Sequence, residues 1–349
     1  MNNLREDIWA QPRELIRSAE QLVTLQAAQL QEAARLLLSR PNVISTGMGS
    51  SHFISIAASC AGLELGLKSL PLETGELCYN LSPWLTEAVL VVVSRSGESA
   101  ETVKLLEVAE GAHCPILAVT NCPDSTLGKR ADVVLTVGAD PDHNVSVKMY
   151  NGPLQTLILA YAEAAGSGAA SYLDPLRKAW SAVGQRLGGW EAQLDTVAAL
   201  FQGKPTQYYL GRGAGYASAL EGRLLSEEAS KYPATADTAA GFRHGSIEVV
   251  DDDFRGMLFL TPGTPMELTA SLAAAIERFG GRSLVFAPDS AAVPPVTLTL
   301  RFPDVDRVLA PLFDITPAQL LALKMAEWRG VDCNQFFRCS YIIKEECED

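Results

Sequence analysis

The chain has 349 residues, 48% hydrophobic and 20% charged, which is long enough for two domains or one large pseudo-symmetric unit around a sizeable core. A formal net charge of −13 argues against a nucleic-acid partner, and no stretch reaches the roughly eighteen uninterrupted apolar residues of a membrane helix. Seven cysteines (Cys60, Cys78, Cys114, Cys122, Cys333, Cys339, Cys347) form neither a C-x-x-C pair nor a zinc-like spacing, and the amino terminus lacks an apolar signal stretch, so no metal site, no disulfide framework and a reducing, cytoplasmic setting are expected.

Residues 12–39 carry apolar side chains at helical spacing, with Pro12 near the start. Asn42–Ser45 reads as a strand, followed by the turn GMGSSH and a helix over Ile54–Leu65. Strands are expected at Ser69–Glu73, Leu90–Ser94, Pro115–Thr120 and Val133–Val137, with helices at Ser99–Ala109 and Tyr150–Ala165. Gly166–Gly203 is a connection, largely helical over Leu176–Leu200 and loosened by Gly166, Gly168, Gly188 and Gly189. The second half then repeats the arrangement. Gly47-x-Gly49 returns as Gly211-x-Gly213 and Thr74 as Thr238, each 164 residues further on, and Met257–Thr261 echoes Leu90–Ser94. Strands are also suggested at Ser283–Phe286 and Val296–Leu300. Alternation of strand and helix argues for an α/β protein of two tandem doubly wound parallel-sheet sandwiches, flavodoxin-like in their layering. The expected division is 1–170 for the first domain with its amino-terminal helix, 171–203 for a connecting helix, and 204–349 for the second domain with a carboxyl-terminal tail.

The most informative stretch is Leu90–Glu101, LVVVSRSGESAE. An apolar run that suits a buried parallel strand stops at Ser94, and a turn of hydroxyls and glycine leads into a helical pattern. Ser94, Ser96 and Ser99 thus gather where a strand's carboxyl end meets a helix amino terminus, where free N–H groups and the helix dipole favour an anion. A simple helix cap needs only one such hydroxyl. Three around Gly97 point to a phosphate cradle.

GMGSSH after the first strand, SRSGES after the third and the segment Leu220–Val250 with its GFRHG together resemble the sugar isomerase (SIS) family, and the likeness runs from REDIWAQP to the helix at Pro317–Trp328. The nearest type is the isomerase half of glucosamine-6-phosphate synthase and its stand-alone deaminase and deglycase relatives. The resemblance implies a cytoplasmic homodimer with the site at the subunit interface, acting on a sugar phosphate without metal or organic cofactor. Two departures narrow it. Asn2 stands where the synthase's glutamine-hydrolysing domain has its cysteine, so no glutaminase domain and no glutamine-dependent amination are expected. In the tail GVDCNQFFRCSYIIKEE, Tyr341 falls at the family's Schiff-base lysine, with Lys344 three residues on. Proton transfer is therefore expected rather than iminium chemistry.

By that resemblance Gly49, Ser50, Ser51, Ser94, Ser96 and Ser99 hold the phosphate, and Arg95 adds a charge-assisted donor or else points to solvent. Ser146 and Lys148 lie in the loop that closes over the sugar, although a surface position is the plainer reading for Lys148. Glu221 and Glu228 share one helix face at a spacing of seven, and Glu227 reads as solvated. The family match makes Glu228 the base that moves a proton between C1 and C2 of the open sugar, and His244 the ring-opening acid/base contributed by a neighbouring subunit. His52 is a further candidate, while His113 and His143 read as surface residues. G-x-G occurs twice without the third glycine of a dinucleotide fingerprint. A non-catalytic sugar-phosphate sensor is the competing class. Glu228 and His244 argue against it, and Tyr341 keeps it open.

Overall fold

The structure is a computed structural model that describes residues 3–203 and 205–338. Its elements run α1 (Asn3–Thr24), α2 (Ala27–Leu37), β1 (Asn42–Gly47), α3 (Ser50–Glu64), β2 (Ser69–Glu73), α4 (Thr74–Tyr79), β3 (Ala88–Val93), α5 (Ala100–Gly111), β4 (Ile116–Thr120), α6 (Thr126–Arg130), β5 (Val133–Thr136), α7 (Lys148–Ala164) and α8 (Leu173–Asp195). They continue with β6 (Thr206–Gly211), α9 (Ala214–Ser230), β7 (Thr235–Thr238), β8 (Phe254–Phe259), α10 (Met266–Arg278), β9 (Arg282–Pro288), β10 (Leu298–Phe302), α11 (Pro311–Asp314) and α12 (Thr316–Arg329). The chain forms two compact units. One is built from 13–141, 148–177 and 336–338, the other from 3–12, 142–147 and 178–335.

Each unit holds one five-stranded sheet, in the orders β2-β1-β3-β4-β5 and β10-β9-β8-β6-β7, with every pairing parallel. Both orders are the 2-1-3-4-5 arrangement of a doubly wound sheet, which reverses between its first and third strands. Parallel strands covered by helices on both faces read as continuous apolar runs, and β3 (AVLVVV) is buried at all six positions. Beneath the first sheet, Ile44, Leu90, Val92, Leu105, Leu106 and Ala118 form one core. In the second unit Leu210, Phe242, Phe254, Leu258 and Ile276 do the same. Full burial of each Leu, Ile, Val or Phe side chain among them is worth about 1.5–3 kcal/mol.

The duplication is visible in the backbone. Gly49 (φ 52°, ψ −127°) and Gly213 (φ 51°, ψ −125°) precede α3 and α9 in the same conformation, one that L side chains rarely adopt. The echo of Thr74 by Thr238 is one step out of register. Gly47 lies beside Glu73, whereas Gly211 lies beside Thr238, because one more residue separates the strands in the second half.

Three expectations shift. The helix expected at 12–39 begins earlier and breaks once. Pro12 sits inside α1, and Gln11 Nε2 donates to Ile8 O (3.4 Å), the carbonyl the proline cannot serve. The break falls at Gln26, whose side-chain amide pairs with the backbone N and O of Thr136 at 2.9 and 2.8 Å. Gly188 and Gly189 do not loosen the connection but lie within α8. The amino-terminal part of α1 packs there, Gly188 facing Trp9, while Glu191 accepts from Arg5 (2.6 Å) and Trp9 (3.1 Å). Finally, β8 starts at Phe254 rather than Met257, because Arg255 is buried with its guanidinium bonded to the carbonyls of Leu200, Asp252 and Phe254. No helix among the described residues is long and apolar enough to cross a membrane, and no cluster of three or more His, Cys, Asp or Glu residues is placed to hold a metal ion.

Candidate active site

β1 and β3 are neighbours that lead to opposite sides of the first sheet, so their carboxyl ends flank the crevice where doubly wound folds take ligands. The turn Gly47–Ser51 leaves β1 there, and Ser94–Ser99 leaves β3. The second turn is tightly specified. Ser94 Oγ accepts from Gly97 N (3.0 Å) and Ser96 Oγ from Glu98 N (3.2 Å), so neither hydroxyl spends its own hydrogen in these bonds. Gly97 has φ 65°, and a Cβ there would lie 2.1 Å from Ser125 Oγ. The Glu98 carboxylate takes Thr126 N (2.7 Å) and Thr126 Oγ1 (2.9 Å), and Leu127 N donates to Gly97 O (3.1 Å), so α6 braces the turn from behind. Ser99 stands at the N-cap position of α5 without capping it through its side chain. Its hydroxyl makes no cap bond and meets Thr102 Oγ1 at 2.7 Å, so no Ser99 bond competes with an anion for the first N–H groups of α5. Arg95 is half-buried, and its carbonyl accepts from Thr120 Oγ1 (3.3 Å).

Gly49 is exposed, and Ser50, Ser51 and His52 are half-buried at the start of α3. His52 Nδ1 is buried without a hydrogen-bond partner among the described residues, and burial lowers its pKa, favouring the neutral ring. Lys148 opens α7 and is only 4% exposed, so the surface reading does not hold. Ser146 belongs to the segment 142–147 of the other unit, where Asp142 Oδ2 accepts from Val147 N (2.8 Å). His143 is exposed but tethered. Its backbone N and ring Nδ1 both bond the buried carboxylate of Asp7, at 2.9 and 3.0 Å.

Glu221, Glu228 and His244 lie in the second unit. On α9, Glu221 is fully buried while Glu228 is half-buried on the last turn. Glu227 is not simply solvated. Half-buried, it pairs with Arg223 at 2.6 Å, and its pKa is raised because desolvation outweighs the cation. His244 is exposed in a 3-10 turn beyond the carboxyl end of β7. Because α9 runs back along the sheet, its last turn lies at the amino ends of the strands. Glu228 therefore lies on the order of 20 Å along α9 from Ala214, at 1.5 Å per helical residue, toward the end of the sheet opposite to His244. Tyr341 and Lys344 lie outside the described residues.

The corresponding strand end in the second unit is filled differently. Asp314, fully buried, accepts from Ser218 Oγ (2.7 Å) and Thr261 Oγ1 (2.6 Å), and burial pushes its pKa up to about 7. The sequence reading missed Asp314, and the only signal for it is an acidic residue inside the apolar run LAPLFDIT.

Two stretches, residues 36–164 and 200–327, each match the SIS domain model. The chain belongs to the SIS domain family. Among curated SIS relatives, the glutamine–fructose-6-phosphate aminotransferase [isomerizing] of Pyrobaculum aerophilum is 26% identical over 94% of this chain and 55% of its own length. The chain thus spans about half the length of the curated relatives it matches. Of solved structures, the C-terminal domain of glucosamine-fructose-6-phosphate aminotransferase from Francisella tularensis superposes with a TM-score of 0.85 at 20% identity, covering 95% of this chain and 97% of that one. Glucosamine-6-phosphate deaminase from Thermotoga maritima gives 0.80 at 17% identity, covering 98% and 99%. Those likenesses bear out the tandem α/β/α architecture.

Proposed function

We propose that this SIS chain is an enzyme that interconverts aldose and ketose forms of a hexose or amino-sugar 6-phosphate, with or without release of the amine. The observation that carries the reading is the Ser94–Ser99 turn, whose hydroxyls and uncapped helix start sit at the switch point between β1 and β3. Such a turn suits a phosphate dianion. Gly49, Ser50 and Ser51 border the same crevice, and Arg95 adds a fixed positive charge. With the phosphate anchored there, the reacting end is the carbonyl and its neighbouring carbon. A carboxylate can take the proton from one carbon and return it to the other through an ene-diol or enamine, and Glu228 is assigned this role. His244 is assigned ring opening, taking the anomeric hydroxyl proton and returning one to the ring oxygen. Their placement toward opposite ends of the second sheet supports a homodimer in which each site draws His244 from the partner. Ser146, Lys148 and Glu221 are supporting candidates around the sugar, and Tyr341, at the tail position where the resemblance implies a Schiff-base lysine, is another.

The test incubates the protein with a panel of hexose and amino-hexose 6-phosphates in deuterated water. Exchange at C1 or C2 with at least one of them, lost in Glu228→Gln while binding persists, is the expected result. Binding without exchange across the panel would replace the enzyme reading with that of a sensor.

A further inference from the structure

At the amino ends of β6 and β7, at the opposite end of that sheet from His244, lies a cleft of about 470 Å³. Thr206, Gln207, Lys231, Tyr232, Thr235 and Arg329 line it, and none of the lining residues is acidic. Lys231 and Arg329 make this lining cationic in a chain of net charge −13. Gln207 is the decisive residue. It is only 3% exposed, its Oε1 is 3.5 Å from the Ser226 hydroxyl, and its Nε2 has no hydrogen-bond partner among the described residues. A buried donor left unmade carries the full desolvation penalty of its N–H. Two cations flank this amide. Arg329 stacks over Tyr232 at 4.6 Å and spends Nη1 on Ser230 O (2.8 Å), out of the five donors a guanidinium carries. Lys231, at φ 54°, is held by carbonyls at its Nζ, that of Glu228 and that of Gln335. The Tyr232 hydroxyl donates to Pro205 O (2.6 Å) and fixes the wall beneath Arg329.

We propose that this cleft binds a small molecule through an oxyanion, phosphate or carboxylate, received by Gln207 Nε2 and the Arg329 guanidinium with Lys231 beside them. An amide N–H and a guanidinium fork match two oxygens of one such group, whereas a cationic or wholly apolar guest would leave the glutamine donor unmet. The volume lies within the range of small-molecule sites. The cleft adjoins the turn that carries Glu228, through the Lys231 contact to Glu228 O, but the argument for it rests on Gln207 and Arg329 and not on the Ser94–Ser99 turn of the other unit.

Calorimetric titration of the whole chain with inorganic phosphate, and separately with succinate, tests it. At least one of the two should bind, the tighter one naming the anion class. Measured in a Ser96→Ala background, where the sugar-phosphate turn no longer competes for the probe, Arg329→Met, at an exposed position that can be changed without disturbing the core, should weaken that binding at least tenfold, as should Gln207→Leu. Absence of binding by both probes overturns the proposal. So does binding that Arg329→Met leaves intact, or binding that only Ser96→Ala removes, which would assign the anion to the sugar-phosphate turn.

Discussion

Replacing Asp314 by asparagine gives the sharpest test of the electrostatics. The carboxyl has an ordinary pKa of 3.8 and one of about 7 in the folded chain, where it is fully buried. Below about pH 4 it is neutral in both states and contributes no pH dependence. Between pH 4 and 7 the folded state keeps a proton that the unfolded chain has released. Stability therefore falls as pH rises, by about 1.4 kcal/mol per pH unit, and levels off above pH 7 at a deficit of about 4 kcal/mol. Asparagine keeps the shape and never ionises, but one hydroxyl of the Ser218–Thr261 pair then faces an N–H₂ donor, at a cost of about 1–2 kcal/mol. The variant should be the less stable protein near pH 4, by about 1 kcal/mol, and the more stable one near pH 8, by roughly 2–3 kcal/mol. Urea unfolding followed by tryptophan fluorescence reads the right unit, since Trp9, Trp180, Trp190 and Trp328 belong to it and Trp180 lies 4.7 Å from Phe313. A stability difference between the two proteins that stays constant from pH 5 to pH 8 would refute the reasoning.

Gly97→Ala forces a side chain onto Ser125 Oγ at a left-handed φ. It should lower stability by about 1–3 kcal/mol and weaken sugar-phosphate binding, with Ser125→Gly partly restoring both; unchanged melting and binding would show that the turn is less constrained than it looks. Ser96→Ala should raise the half-saturating concentration of a phosphorylated sugar by about three- to tenfold, and equal values would remove Ser96 from the cradle. Glu228→Gln should slow C1/C2 exchange by about 10²–10⁴-fold. When Glu228→Gln and His244→Ala proteins are mixed and allowed to exchange subunits, activity should reappear in the hybrid dimer. No recovery in a mixture proven to contain hybrids would mean that the two residues do not meet across a subunit boundary.

Strands were legible because burial on both faces demands apolar runs, which is why AVLVVV and ILAVT stand out. The SRSGES turn was legible because its geometry needs a glycine and its hydroxyls have no apolar competitor for the position. Other features depend on partners far along the chain. Nothing local to Pro12 announces that Gln11 will serve Ile8 O, and nothing local to Gln26 announces a pairing with Thr136. Lys148 and Glu227 read as solvent-facing because charge is the only information at each position, whereas burial is decided by packing. Asp314 and Gln207 were invisible for the same reason. A polar residue within an apolar stretch becomes meaningful only once its neighbours in space are known.

The contacts between Glu191 and the pair Arg5 and Trp9 set a clock on biosynthesis. At about 5–20 residues per second, the partner of the first helix leaves the ribosome roughly 10–40 s after the helix itself. For that interval the first turns of α1 are made but unclaimed, while residues 13–141 and 148–177 can already assemble. A bulky amino-terminal fusion would act in that window, delaying closure of the later unit rather than altering its finished form, and a chaperone that grips exposed Trp9 would find the nascent chain a better client than the completed one.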